Sequence, residues 1–217
     1  MREPDVSEGG EVRGLPEVRK LRIDELLQGK EAVITDLDGT LVDLGIDWDS
    51  LRERIRREMG WDHPLKPLGP SIPKAARSKA EEEAAFRIVE EAEQRASERA
   101  NPNSKIVEIF RRIRERGVKV ALVTLQARRP AVTTLERLGI LEFFDVVVTR
   151  DLSLDRREQL RIAMEELGVM PGRCLFFGDT QWDVEAGREI GCETVCVGRR
   201  IEGSNYFIDK FEDLSID

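Results

Sequence analysis

Cysteine, histidine and tyrosine are almost missing from this chain, with three, one and one respectively among 217 residues. Cys174, Cys192 and Cys196 form no C-x-x-C pair, and their odd number argues against a disulfide framework. Cys174 and Cys196 sit in apolar strand-like runs and read as small buried hydrophobes. The lone histidine, His63, falls in a Pro-rich stretch and reads as a surface or packing residue. No apolar run is long enough to cross a bilayer, which argues against a membrane partner. The opening "MREPDVSEGGEVRG" is polar, with no apolar core of a secretion signal, so a cytoplasmic location is the default expectation. Positive charge is also short. The net charge of −8 argues against nucleic acid as the main partner, because phosphate binding needs a basic face.

What is present is a strongly punctuated chain. Residues 1–14 read as a disordered tail. A short amphipathic helix is expected in "PEVRKLRIDELLQG", with Leu21, Leu26 and Leu27 as apolar contacts. "EAVITDL" reads as a buried strand ending at Asp36 to Asp38. Strand signals then stop. "WDSLRERIRREMGW" carries Trp48, Leu51, Ile55 and Met59 at helical spacing. "HPLKPLGPSIP" reads as a Pro/Gly loop. A long Ala- and Glu-rich helix follows, with Ala85, Ile88, Val89 and Ala92 as its apolar line and a solvated opposite face. Asn101-Pro102 stops it. "NSKIVEIFRRIRERG" is a further helix with an Asn or Ser cap, ending at Gly117.

Beyond residue 118 strands and helices alternate. The strands are "VKVALVT", "FFDVVVT", "RCLFFGD" and "ETVCVG", with a last short one at "YFI". The helices between them begin near Pro130, Arg156 and Trp182. This alternation predicts an α/β fold with a Rossmann-like parallel sheet and helices on both faces. The expected organisation is an α/β core of residues 15–42 and 103–217, with an all-helical insert at 43–102 after the first strand.

The right-handed crossover rule places all strand C-terminal ends along one edge, where ligands bind in open α/β sheets. Asp36 and Asp38, Thr124, Arg150 and Asp179 with Asp183 all fall at such ends. Residues two apart in an extended chain point the same way, so Asp36 and Asp38 can face one pocket. Carboxylates converging from two strands need a cation, and oxygen ligands with room for substrate point to Mg²⁺. In that setting Asp36 can attack phosphorus, Asp38 can pass a proton to and from the leaving group and water, and Thr124 can donate to phosphoryl oxygens.

"DLDGTLVD" at 36–43, "LVTLQ" at 122–126 and "GDTQWDVEAG" at 178–187 resemble three motifs of the haloacid dehalogenase-like phosphatase superfamily, in order and spacing. The resemblance spans about residues 32–209. It implies a Mg²⁺-dependent phosphoaspartate mechanism. Asp36 would be nucleophile and metal ligand, and Asp38 the acid/base and a metal ligand through its backbone carbonyl. Thr124 would bind phosphate, Asp179 would bind the metal, and Asp183 would support its water shell. The helical insert resembles the C1 cap of phosphoglycolate-phosphatase-like members. The superfamily's third motif usually offers a lysine, and no lysine occurs between residues 120 and 209. Arg156 is the first substitute, Arg157 the second and Arg150 the third. The expected activity is hydrolysis of a small phosphorylated metabolite, phosphoglycolate being the sharper guess. A phosphomutase, a pyrophosphatase or a degenerate binding protein on the same site are the alternatives. Lys66, Lys74 and Arg77 could reach a substrate's far end, and Trp48 and Trp61 read as packing aromatics.

Overall fold

The computed structural model describes residues 21–216. The expected disordered tail and the start of the first helix lie outside these residues. Six strands form one sheet: β1 (Ala32–Thr35), β2 (Lys119–Val123), β3 (Val146–Val148), β4 (Cys174–Gly178), β5 (Glu193–Val197) and β6 (Tyr206–Ile208). All neighbours are parallel, in the order β3-β2-β1-β4-β5-β6. The chain therefore winds outward from β1 through β2 to β3, then crosses back to β4 and winds the other way. The reversal leaves a crevice at the C-terminal ends of β1 and β4, the place where doubly wound sheets bind ligands.

Among the described residues eight α-helices surround or extend the sheet: α1 (Ile23–Leu26), α2 (Trp48–Met59), α3 (Leu68–Ala75), α4 (Lys79–Ser97), α5 (Ser104–Glu115), α6 (Arg128–Leu138), α7 (Arg156–Leu167) and α8 (Gln181–Ile190). The period-2 alternation of β1 splits its side chains between two cores. Val33 joins Ile106, Phe110, Leu135 and Phe177 under α5 and α6. Ala32 and Ile34 join Leu160, Ala163, Met164 and Phe176 under α7 and α8. A parallel sheet covered on both faces explains why the strands read as continuous apolar runs.

Helices α2, α3 and α4 close round a third apolar cluster that includes Leu51, Ile55, Trp61, Ile72 and Ile88. Their starts and stops follow local chemistry. The Asp47 side chain accepts from the Ser50 N–H at the start of α2, and Gly60 ends it in the left-handed conformation. Ser78 caps α4 and Asn103 caps α5. The expected loop over "HPLKPLGPSIP" is corrected by α3. Pro70 falls in the first turn, where a backbone N–H has no helical partner to lose, and Leu68 and Ile72 stand one turn apart and are buried. Tertiary burial outweighs the interior Pro73.

The remaining differences concern ends. Helix α6 starts at Arg128 and α8 at Gln181, and β3 is only three residues long, preceded by Asp145, whose carboxylate accepts from the Val120 N–H at 2.8 Å. No helix among the described residues is long and apolar enough to cross a membrane.

Candidate active site

Asp36 is the first residue after β1, and its N–H donates to Phe177 O on β4 at 2.9 Å, so the switch between the two strands fixes it. It is buried. Burial pushes its carboxyl well above the ordinary range, the Arg156 guanidinium pulls it back, and Asp183 and Asp179 push it further up. Asp38 is half-buried, and its Oδ1 accepts from the Leu44 N–H at 2.9 Å. Burial raises its pKa against that hydrogen bond.

Between them and β4 the backbone makes one very close approach. Gly39 has φ +88°, and a Cβ there would stand 2.4 Å from Asp179 Oδ2. Only glycine permits both the turn and the contact. Asp179 follows β4, and Thr40 Oγ1 lies 3.5 Å from its Oδ1. Burial, then Asp183 and Asp38, push Asp179 up to about 6. Asp183 lies in the first turn of α8, in a reciprocal cap: the Thr180 hydroxyl and N–H both donate to Asp183 Oδ2, and the Asp183 N–H donates back to Thr180 Oγ1. Gly178 admits this turn, since a Cβ there would lie 2.4 Å from that of Asp183.

The three candidate arginines have different fates. Arg156, first residue of α7, turns inward. Its Nη2 donates to Asp36 Oδ1 at 2.8 Å, and its Nη1 donates to Val123 O at 2.8 Å and Gln159 Oε1 at 2.9 Å. Its Nε lies 2.8 Å from Asp183 Oδ1, close enough for an ion pair though not aligned as a hydrogen bond. Burial works against its charge, but Asp183 and Asp36 outweigh this and raise its pKa. Arg157 is half exposed and pairs with Asp155 and Glu189, so it does not reach the buried carboxylates. Arg150 is buried against Glu93 of α4, with Nη1 to the Glu93 oxygens at 2.5 and 2.7 Å and to Leu125 O at 3.2 Å. Neither Arg150 nor Arg157 pairs with Asp36, Asp179 or Asp183, though both line the same cavity.

Thr124 follows β2 and is buried, and its Oγ1 accepts from the Gln126 N–H at 3.2 Å. Asp36, Asp38, Thr124, Arg156, Asp179 and Asp183 all line one cavity of about 940 Å³, whose far wall is supplied by α2, α3 and α4. Lys66 and Lys74 reach it; Arg77 instead lies near Gly60 O, at 3.5 Å. His63 is a packing residue, with Nδ1 accepting from the Leu65 N–H.

Among the described residues no three Asp, Glu, His or Cys side chains are clustered so as to hold a metal ion by themselves. The donor set suits Mg²⁺ in another way. That ion takes one or two carboxylates and completes its shell with other oxygens. Asp36 and Asp179 are two such carboxylates. Arg156 ion-pairs with Asp36 and Asp183, and Asp179 forms no ion pair among the described residues.

Sequence reasoning missed three buried polar residues. Gln159 orients Arg156 and donates through Nε2 to Thr124 O at 2.7 Å. Glu93 accepts from the Ala127 N–H at 3.2 Å and holds Arg150, so the Ala/Glu helix does not have a purely solvated polar face. Gln126 is buried against the cavity. Only Gln126 carried a signal, its place in "LVTLQ".

Comparison with known proteins gives the family and the shared fold. Residues 33–197 match the haloacid dehalogenase-like hydrolase family. The pyrophosphatase PpaX of Bacillus cereus is 29% identical over 203 residues, 84% of this chain and 93% of that one. The N-acetylmuramic acid 6-phosphate phosphatase of Pseudomonas aeruginosa is 30% identical over 187 residues, 77% of this chain and 81% of that one. The crystal structure of a β-phosphoglucomutase from Clostridium difficile superimposes with a TM-score of 0.71 at 19% identity, covering 86% of this chain and 93% of its own, which shows the shared fold. With residues 33–197, most of its length, matched by one family model, the chain belongs to the haloacid dehalogenase-like hydrolases.

Proposed function

We propose that the protein is a Mg²⁺-dependent phosphatase of small phosphomonoesters that works through an aspartyl-phosphate on Asp36. The carrying observation is the convergence of Asp36 from β1, Asp179 from β4 and Arg156 from α7 on one cavity at the reversal point of the sheet. In this reading an oxygen of Asp36 attacks phosphorus as the bond to the leaving oxygen breaks. Asp38 protonates that oxygen, then takes a proton from the water that releases phosphate and regenerates Asp36. Arg156 keeps Asp36 in place and offers its planar charge to the phosphoryl group, and the Thr124 hydroxyl donates to a phosphoryl oxygen. When bound by Asp36, Asp179 and the Asp38 carbonyl, Mg²⁺ supplies positive charge to the phosphoryl oxygens.

Helices α2 to α4 act as a cap that keeps bulk water from the intermediate. A cavity enclosed on that side fits a metabolite better than a protein substrate. A cytoplasmic location belongs to the same proposal. The test is phosphate release from a panel that includes phosphoglycolate, sugar phosphates and pyrophosphate. Release must need Mg²⁺ and disappear in Asp36→Asn. A folded wild-type protein inert across that panel rules the reading out. A second reading, pyrophosphatase activity, has the name of the Bacillus cereus relative in its favour. Product analysis on the same panel also separates hydrolysis from phosphoryl transfer to another acceptor.

A further inference from the structure

Glu93 and Arg150 form an ion pair buried on both sides, the two residues being 1% and 8% exposed. Glu93 belongs to α4 and Arg150 to the loop after β3, so the pair joins the helical insert to the sheet. The Arg150 guanidinium also lies over the Phe86 ring of α4, 5.3 Å from its centroid. An apolar pair of similar size often gives equal or greater stability, because both charges lose their water here. Stability alone therefore does not account for the pair.

What the pair holds is the turn between β2 and α6. Arg150 Nη1 donates to Leu125 O at 3.2 Å, and the Arg150 N–H donates to Gln126 O at 3.1 Å. Glu93 Oε2 accepts from the Ala127 N–H at 3.2 Å. Ala127 stands at the N-cap of α6 with no side chain able to cap it, and that helix has no acid in its first turn. The Glu93 carboxylate brings to this end the negative charge that a capping residue or a first-turn acid would supply. The turn held in this way directs the Gln126 N–H to Thr124 Oγ1, 3.2 Å away. A hydroxyl oxygen that accepts there still has its own proton to donate to a ligand in the cavity that Thr124 lines.

We infer that Glu93 and Arg150 are positioning residues for phosphate: across the boundary between insert and sheet they fix the turn 125–127, and through it the Thr124 hydroxyl. The inference rests on the phosphate-binding role proposed for Thr124. Both side chains act through that residue and not by contact with phosphate. Glu93 reaches the turn only where α4 lies against it, so the phosphate site is complete only with α4 seated on the sheet.

The test is a mutant cycle between Thr124→Val and the apolar pair Glu93→Leu/Arg150→Met. It is read by calorimetric binding of inorganic phosphate with Mg²⁺ and by kcat/KM on p-nitrophenyl phosphate. Removing both charges together avoids the unpaired buried charge that a single variant leaves, so the apolar pair is expected to melt within about 5 °C of wild type. Thr124→Val alone weakens phosphate about tenfold, and so does the apolar pair alone. Once the apolar pair is present, Thr124→Val costs less than about twofold more, since the hydroxyl is already misplaced. Glu93→Gln retains an acceptor for the Ala127 N–H and recovers part of the affinity; it takes the place of the apolar pair in the cycle if that variant does not fold. Additive losses, or an apolar pair that binds phosphate as wild type does, overturn the inference and leave the ion pair a structural bond only. Phosphate binding keeps the test separate from the phosphatase reading. If no ester is hydrolysed, that reading fails, while the inference stands on the non-additive phosphate binding. If wild type binds no phosphate, or Thr124→Val binds it as tightly, the inference falls.

Discussion

Arg156 Nη2 donates to Asp36 Oδ1 across 2.8 Å, joining the first turn of α7 to the tip of β1 over 120 residues of sequence. The same guanidinium faces Asp183 and is oriented by Gln159 and the Val123 carbonyl. A charge that serves two buried carboxylates holds Asp36 in place and leaves the site with acid in excess.

Arg156→Ala is therefore expected to lower kcat by about 10²–10³, the usual cost of losing a preorganised charge at a phosphoryl site. The variant leaves Asp36 and Asp183 buried without their partner, so it should also lose about 3 kcal/mol of stability. Arg156→Lys keeps a charge but not the planar fork, and recovers part of both. Steady-state kinetics with p-nitrophenyl phosphate and urea unfolding check the two effects. Full activity in the alanine variant removes Arg156 from the phosphate site.

Gly39→Ala tests the close approach of the β1 and β4 loops. The methyl group would stand 2.4 Å from Asp179 Oδ2, on a residue with φ +88°. The backbone strain is expected to cost about 1–2 kcal/mol. The displaced Asp179 carboxylate should lower kcat by at least tenfold, since small misplacements at a reacting centre are costly. Thermal melts and kcat measured together check this, and an unchanged kcat would separate Gly39 from the chemistry.

Asp24 offers a pH test away from the site. Arg112 and Arg116 both bond it, tying α1 to α5. Hydrogen bonds from these two guanidiniums hold its carboxyl well below the usual range. A carboxyl depressed in the folded state stabilises above its unfolded pKa, near 4, and loses that contribution as pH falls through the folded value. Asp24→Asn should cost about 1 kcal/mol at pH 7, the pair being partly exposed and screened. The gap to wild type should shrink steadily below pH 4, as followed by urea unfolding.

The parts of the site that sequence revealed are those where composition and place conflict. Acids at apolar strand tips, as in Asp36 and Asp179, need a reason, and so does a stretch without lysine that begins a helix with Arg156. The sheet was readable because continuous apolar runs alternate with amphipathic helices. Helix α3 was hidden by prolines whose cost only the packing of Leu68 and Ile72 offsets. Glu93 was hidden among Glu90 and Glu91 on the same helix, and nothing local marks which glutamate meets Arg150. Gln159 likewise looks like any polar helix residue until its burial under Thr124 is known. Burial of a single polar residue is decided by contacts far away in sequence, so no local pattern reports it.

Asp179 gives the sharpest test of the cation. It ion-pairs with neither Arg156 nor any other base among the described residues, and burial with two neighbouring acids pushes it up to about 6. A ligand that binds only the folded state stabilises it by about 2.7 kcal/mol at one hundred times its Kd. For a chain of this size that corresponds to a rise of roughly 5–10 °C in melting temperature. Mg²⁺ is expected to give this rise in wild type and not in Asp179→Asn. Without Mg²⁺ the variant should melt no lower than wild type, because the substitution removes a repelling charge from a buried acidic group. Its phosphatase activity should fall at least a hundredfold. If Asp179→Asn keeps the Mg²⁺-induced rise, the ion is held elsewhere and Asp179 is not its ligand.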